Sequence, residues 1–214
     1  VTLLDIEDAV LARAVDTIRG NLARQVSRGK IAEGEAEAAV ARIATTTDYS
    51  SFAACDAVVE AATENEEIKR AVFQSMLPHL RDDALIASNT SSISITRLAA
   101  GTDRPERFIG LHFMNPVPVM KLVEIIRGIA TDQPTFDAFN ALADRLDKTV
   151  AVAEDFPAFI VNRILLPMIN EAVYTLYEGV GSVQSIDTAL KLGANHPMGP
   201  LELAAVIGLD TCLA

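Results

Sequence analysis

DAVVEAATENEEIKRAVFQSMLPHLRDDALIAS, residues 56–88, decides the architecture. It opens with a compact apolar run at 56–61, of the kind that forms a buried strand. A helical pattern follows at 65–80, and a second apolar run at 84–88. Strand, helix and strand in succession build a parallel sheet.

Working outward, the same alternation continues on both sides. Residues 1–5, VTLLD, read as a strand. From 7 to 28 the apolar residues Val10, Leu11, Ala14, Val15, Ile18, Leu22 and Val26 recur at three- and four-residue steps, a helix. A second helix is expected over 33–43 and a short strand near 44–47. Beyond the opening stretch, a polar loop at 89–92 leads to a short helix at 93–99. Strands at 108–113 and 122–126 are joined by a proline-containing loop, and a helix at 135–146 and a strand at 149–153 close the series. The expectation is a largely parallel, doubly wound α/β sheet over residues 1–154.

After Asp155-Phe156-Pro157 only helical patterns remain, at 158–178, 183–191 and about 200–207. Residues 155–214 therefore read as a second, all-α domain. The apolar stretch 158–177 is long enough to span a bilayer, but Asn162, Arg163, Asn170 and Glu171 inside it are costly in hydrocarbon. A buried amphipathic helix is expected instead.

Half of the 214 residues are hydrophobic and 22% are charged, as in ordinary globular proteins. The formal net charge of −11 argues against nucleic acid or an anionic membrane as main partner. Cys55 and Cys212 lie far apart, outside any metal-ligand spacing, and read as reduced, buried thiols of a cytosolic protein. No metal site is expected. Residues 1–28 carry Asp, Glu and Arg throughout, unlike a secretory leader.

Five stretches together resemble the 3-hydroxyacyl-CoA dehydrogenase family, especially its bacterial 3-hydroxybutyryl-CoA members. They are VVEAATENEEIK (58–69), SNTSSISIT (88–96), GLHFMNPVPVMKLVEII (110–126), DFPAFIVNRILLPMINEA (155–172) and IDTALKLGANHPMGPLELA (186–204). They stand in the family's order with family-like spacing. The resemblance implies a Rossmann-like dinucleotide-binding domain followed by a helical domain, with NAD as cofactor and an acyl-CoA as substrate. It also implies a homodimer in the full-length protein and a cytoplasmic location.

In such folds an acidic residue at the end of the second strand holds the adenosine ribose, about 20 residues after a G-x-G-x-x-G loop. Asp5 fits that position, and its carboxylate would repel a 2′-phosphate, favouring NAD over NADP. No G-x-G-x-x-G occurs in these residues. The expectation is that the first strand, the glycine loop and the first helix lie upstream, and that the helical domain also continues, so this piece alone should be poorly stable and inactive. Glu64, Lys69 and Asn115 match family positions near the nicotinamide; for Glu64 and Lys69 an exposed pair at a helix start is the alternative.

Oxidising a 3-hydroxyl needs a base for its proton, and an imidazole suits the task near neutral pH. His112 stands at a strand's C-terminal end, where open α/β sheets place ligands. Folding 122–126 back onto 108–113 would bring Glu124 to it, and the family pairs these two positions as a dyad. By the same resemblance Ser91 meets the substrate's 3-oxygen and Asn162 faces the acyl group, in a cleft between domains. Arg28 and Lys30, with Arg24, are candidates for the CoA phosphates, or else a solvated helix face. His79 and His196 are read as structural. The rival readings are a gulonate-type sugar-acid dehydrogenase and a non-catalytic CoA-binding or assembly module.

Overall fold

A computed structural model describes residues 1–213. The chain divides into two compact units, Val1–Phe156 and the residues from Pro157 onward. The division falls after Phe156. Asp155 stays with the first unit because its carboxylate accepts hydrogen bonds from Ser94, Ile95 and Thr96.

The first unit holds two sheets where one was expected. β1 (Thr2–Leu4) pairs in parallel with β2 (Ala44–Thr46). The larger sheet has five strands in the order β3 (Ala57–Glu60), β4 (Leu85–Ser88), β5 (Phe108–Phe113), β6 (Leu122–Arg127) and β7 (Thr149–Glu154). All its pairings are parallel except β5 with β6. The apolar run of β3 is buried on one face only: Val58 is inside and Val59 is 41% exposed.

Helices cover both faces of the larger sheet. Strand side chains alternate between faces, so Ile109 and Leu111 point one way and Phe108, Gly110 and His112 the other. The first set packs with Val123 and Ile125 against Phe139 and Ala143 of α5 (Gln133–Arg145). On the opposite face, Phe73 of α3 (Glu66–Met76) meets Phe108 edge-on at 5.1 Å. Ile95 of α4 (Ile95–Ala99) lies over Gly110. A Cβ at Gly110 would come within 2.8 Å of Ile126 Cβ and of Ile95 Cγ1. Only glycine lets helix and strand approach this closely.

α1 (Asp8–Ser27) and α2 (Glu33–Ala41) pack against each other as a helical hairpin. The turn between them is closed by Gly29 at φ 65°, with Gly29 N–H donating to Val26 O and Lys30 N–H to Gln25 O. This paired arrangement is a Schellman end. The chain between β2 and β3 forms a 3₁₀ turn at Tyr49–Ala54, which no hydrophobic period announces.

The second unit contains α6 (Val161–Tyr177), α7 (Val183–Gly193), α8 (Pro200–Ile207) and the short α9 (Leu209–Leu213). Asp187 of α7 accepts from the Leu201 and Glu202 amides and so caps α8. α6 departs from the expected buried helix. It buries Ile169 and Ala172, whereas Ile164, Tyr174 and Tyr177 are exposed. Its apolar residues occupy more of the circumference than α7 and α8 cover. No helix among the described residues is long and apolar enough to cross a membrane.

Candidate active site

The register of the antiparallel pair places His112 directly opposite Glu124. Directly opposed residues share a face, and the His112 Nδ1 lies 2.8 Å from Glu124 Oε2. Glu124 is fully buried and His112 is 5% exposed. Ile126, the next residue of β6 on the same face, is also fully buried. A carboxylate in such surroundings needs a partner, and the imidazole is one.

The strand next to the histidine brings in the second cluster. Ser88 at the end of β4 pairs with Gly110, and the contact continues through Asn89, whose Oδ1 accepts from the Phe113 amide. The following turn is gathered around one atom, Glu64 Oε1. It accepts from Thr90 Oγ1 at 2.6 Å, Ser91 N at 2.8 Å, and Ser92 N and Oγ at 2.9 Å each. Burial pushes the Glu64 carboxyl up, but the Thr90 hydroxyl, the Ser91 amide, the Ser92 hydroxyl and the Lys69 charge together bring it below the ordinary value. Glu64 is thus an anion at neutral pH.

Lys69 is not the exposed helix-start residue that one reading allowed. The buried stripe of α3 runs Lys69, Phe73, Met76, so the lysine stands where an apolar residue would. It is 1% exposed, and its Nζ bonds both oxygens of Glu60, at 2.8 and 3.0 Å. Glu60 also accepts from Ser88 Oγ at 2.6 Å and from the Ala62 amide. Glu60, Ser88, Asn89 and Thr90 were not singled out from sequence. An acidic residue at the end of an apolar strand, nine positions before the lysine, was the available signal.

The other expected site residues lie elsewhere. Asp5 follows β1, on the C-terminal side of the small parallel sheet, and Asn115 is exposed just past β5. Arg28 ends α1 and Lys30 occupies the turn after it, both exposed. Asn162 lies in the first turn of α6, half-buried, in the second unit. His79 is exposed and His196 half-buried. Among the described residues no cluster of His, Cys, Asp or Glu could hold a metal.

A dinucleotide fits part of this arrangement. The Asp5 carboxylate has one bond within its own turn, a long 3.4 Å contact from the Glu7 amide, which leaves acceptor capacity for a ribose diol. The Lys69 ammonium fits less well as a direct contact, since Glu60 engages it from both oxygens.

Residues 1–156 match the model of the 3-hydroxyacyl-CoA dehydrogenase NAD binding domain, and residues 159–214 that of the 3-hydroxyacyl-CoA dehydrogenase C-terminal domain. The chain belongs to the 3-hydroxyacyl-CoA dehydrogenase family. It is an NAD-dependent oxidoreductase by that membership. A 3-hydroxybutyryl-CoA dehydrogenase of Bradyrhizobium diazoefficiens is 61% identical over all 214 residues, which correspond to 73% of that protein. A probable 3-hydroxybutyryl-CoA dehydrogenase of Bacillus subtilis is 46% identical over the same span, 75% of its length. The crystal structure of (S)-3-hydroxybutyryl-CoA dehydrogenase from Ralstonia eutropha superimposes with a TM-score of 0.96. It is 48% identical, with 99% of this chain and 75% of that one covered.

Proposed function

We propose that this protein interconverts an L-3-hydroxyacyl-CoA and the 3-ketoacyl-CoA, with His112 as the base and Glu124 as its partner. The observation that carries this reading is the buried 2.8 Å contact between His112 Nδ1 and Glu124 Oε2 at the C-terminal end of β5. With Nδ1 directed to the carboxylate, Nε2 is the atom that takes the hydroxyl proton. Glu124 fixes that tautomer and stabilises the imidazolium as it forms, the part played by the acid of a Ser-His-Asp triad. NAD, when bound, supplies the hydride acceptor.

The remaining assignments follow the family resemblance. Ser91 meets the 3-oxygen, and Asn162 faces the acyl group. Asp5 holds the adenosine ribose, while Glu64, Lys69 and Asn115 serve the nicotinamide half, Lys69 through Glu64 rather than by direct contact. Arg28 and Lys30 meet the CoA phosphates, for which their exposure on the hairpin is suitable. The names of the relatives favour a short acyl chain, 3-hydroxybutyryl. Homodimerisation rests on the resemblance and is tested by sedimentation of the protein its natural gene encodes. A reducing, cytoplasmic setting fits the free Cys55 and Cys212.

The direct test is NADH oxidation driven by acetoacetyl-CoA, in the protein as its natural gene encodes it and in its His112→Ala variant. Turnover that falls by about 10²- to 10⁴-fold in the variant is expected of a lost general base. Turnover on gulonate but none on acetoacetyl-CoA would overturn the substrate assignment.

A further inference from the structure

We propose that Glu60 is a positioning residue for the reaction: acting through Lys69 and Glu64, it holds the turn 90–92 that carries Ser91. The proposal rests on Ser91 meeting the substrate's 3-oxygen.

Glu60 and Lys69 form an ion pair in which both side chains are 1% exposed. Taking two charges out of water is costly, and an apolar pair of similar volume usually serves a fold as well. What an apolar pair could not do is set a cation beside Glu64, whose Oε2 lies 3.7 Å from Lys69 Nζ. Glu64 in turn collects the Thr90 hydroxyl and the Ser91 and Ser92 amides on its other oxygen. The chain of contacts therefore runs from the end of β3, through α3, to the backbone of Ser91.

Glu60 also grips the root of the same turn. Its Oε2 accepts from Ser88 Oγ, and its backbone carbonyl accepts from the Asn89 amide at 2.7 Å. Asn89 in turn is tied to Phe113, the residue after His112. One buried residue, through its carboxylate and its backbone carbonyl, thus sets both ends of the turn relative to the strand of His112. Small displacements of a group that must meet a reacting atom cost large factors in rate.

The test uses Glu60→Gln and Ser88→Ala in the protein as its natural gene encodes it, with thermal melting to establish folding. Amide exchange at Ser91 and Ser92 is expected to quicken by about tenfold or more, while Ile86 and Ile109 in the central strands stay protected. In Glu60→Gln, kcat for acetoacetyl-CoA should fall by roughly 10- to 100-fold with little change in KM. Because Glu60 acts in part through Glu64, the Glu60→Gln/Glu64→Gln double variant should lose clearly less kcat than the product of the two single losses. Ser88→Ala removes a single hydroxyl and should show the same exchange change, smaller, which decides the matter if Glu60→Gln does not fold. Wild-type exchange at Ser91 and Ser92 in a folded variant, or multiplying kcat losses in the double variant, would overturn the proposal. If Ser91→Ala keeps full turnover, the role given to Ser91 fails, and the exchange measurements still decide whether Glu60 holds the turn.

Discussion

His112 and Glu124 are exact register partners across an antiparallel strand pair, and their side chains meet at 2.8 Å inside the sheet face. Glu124→Gln keeps the shape and removes the charge. An amide can donate to Nδ1 and so stabilise the wrong tautomer, with the Nε2 lone pair lost to the substrate. Turnover should drop by about 10²- to 10⁴-fold with KM nearly unchanged, read from steady-state kinetics. A loss of less than about threefold would assign the carboxylate to packing alone.

Gly110 gives a stability prediction two residues from the base. The side chain of Gly110→Ala would press on Ile126 and Ile95, and overpacking of this kind costs about 1–3 kcal/mol. Denaturant unfolding should show that loss. Combining it with Ile95→Ala should cost less than the sum of the two single changes, because the truncated side chain makes room.

Asp155 supplies a pH dependence. Burial raises its carboxyl, but hydrogen bonds from the Ser94 hydroxyl, from Thr96 and from the Ile95 amide outweigh this and leave it below the ordinary value. A carboxyl lowered in the folded state stabilises the fold above its unfolded pKa of about 3.9, and the contribution is lost as pH falls through the lower folded value. At pH 7, Asp155→Asn should cost about 0.5–2 kcal/mol, the usual worth of a helix cap. That difference should shrink as pH is taken below about 4. A constant gap down to pH 3 would contradict the capping role.

If Arg28 and Lys30 meet the CoA phosphates, Arg28→Ala/Lys30→Ala should raise KM roughly tenfold for acetoacetyl-CoA. A substrate ending in pantetheine, without the nucleotide phosphates, should be unaffected. Equal effects on both substrates would place the basic pair on a solvated helix face.

The contact of His112 with Glu124 was legible in the sequence because its two strands are neighbours, joined by a single loop whose fold-back was the simplest outcome. Residues 108–113 and 122–126 announced themselves by apolar content, and the hairpin then dictates the pairing. The Glu60 network was not legible in the same way. Ser88 meets Glu60 across 28 residues of chain, through a parallel register that no local period encodes. Charge alone suggests an exposed Lys69, whereas it stands at the first position of the buried stripe completed by Phe73 and Met76. The separate β1–β2 sheet also escaped, since periodicity identifies strands without telling which of them pair.

The antiparallel junction of β5 with β6 keeps an important contact local in the chain. Parallel neighbours need a crossover of a dozen or more residues, whereas an antiparallel pair closes through one loop. His112 and Glu124 are therefore only 12 positions apart, and their meeting depends on one hairpin, residues 108–127. The loop at its tip is held separately, by Lys148 Nζ donating to the Val117 and Met120 carbonyls. An insertion in that loop would therefore leave His112 and Glu124 opposite each other in register.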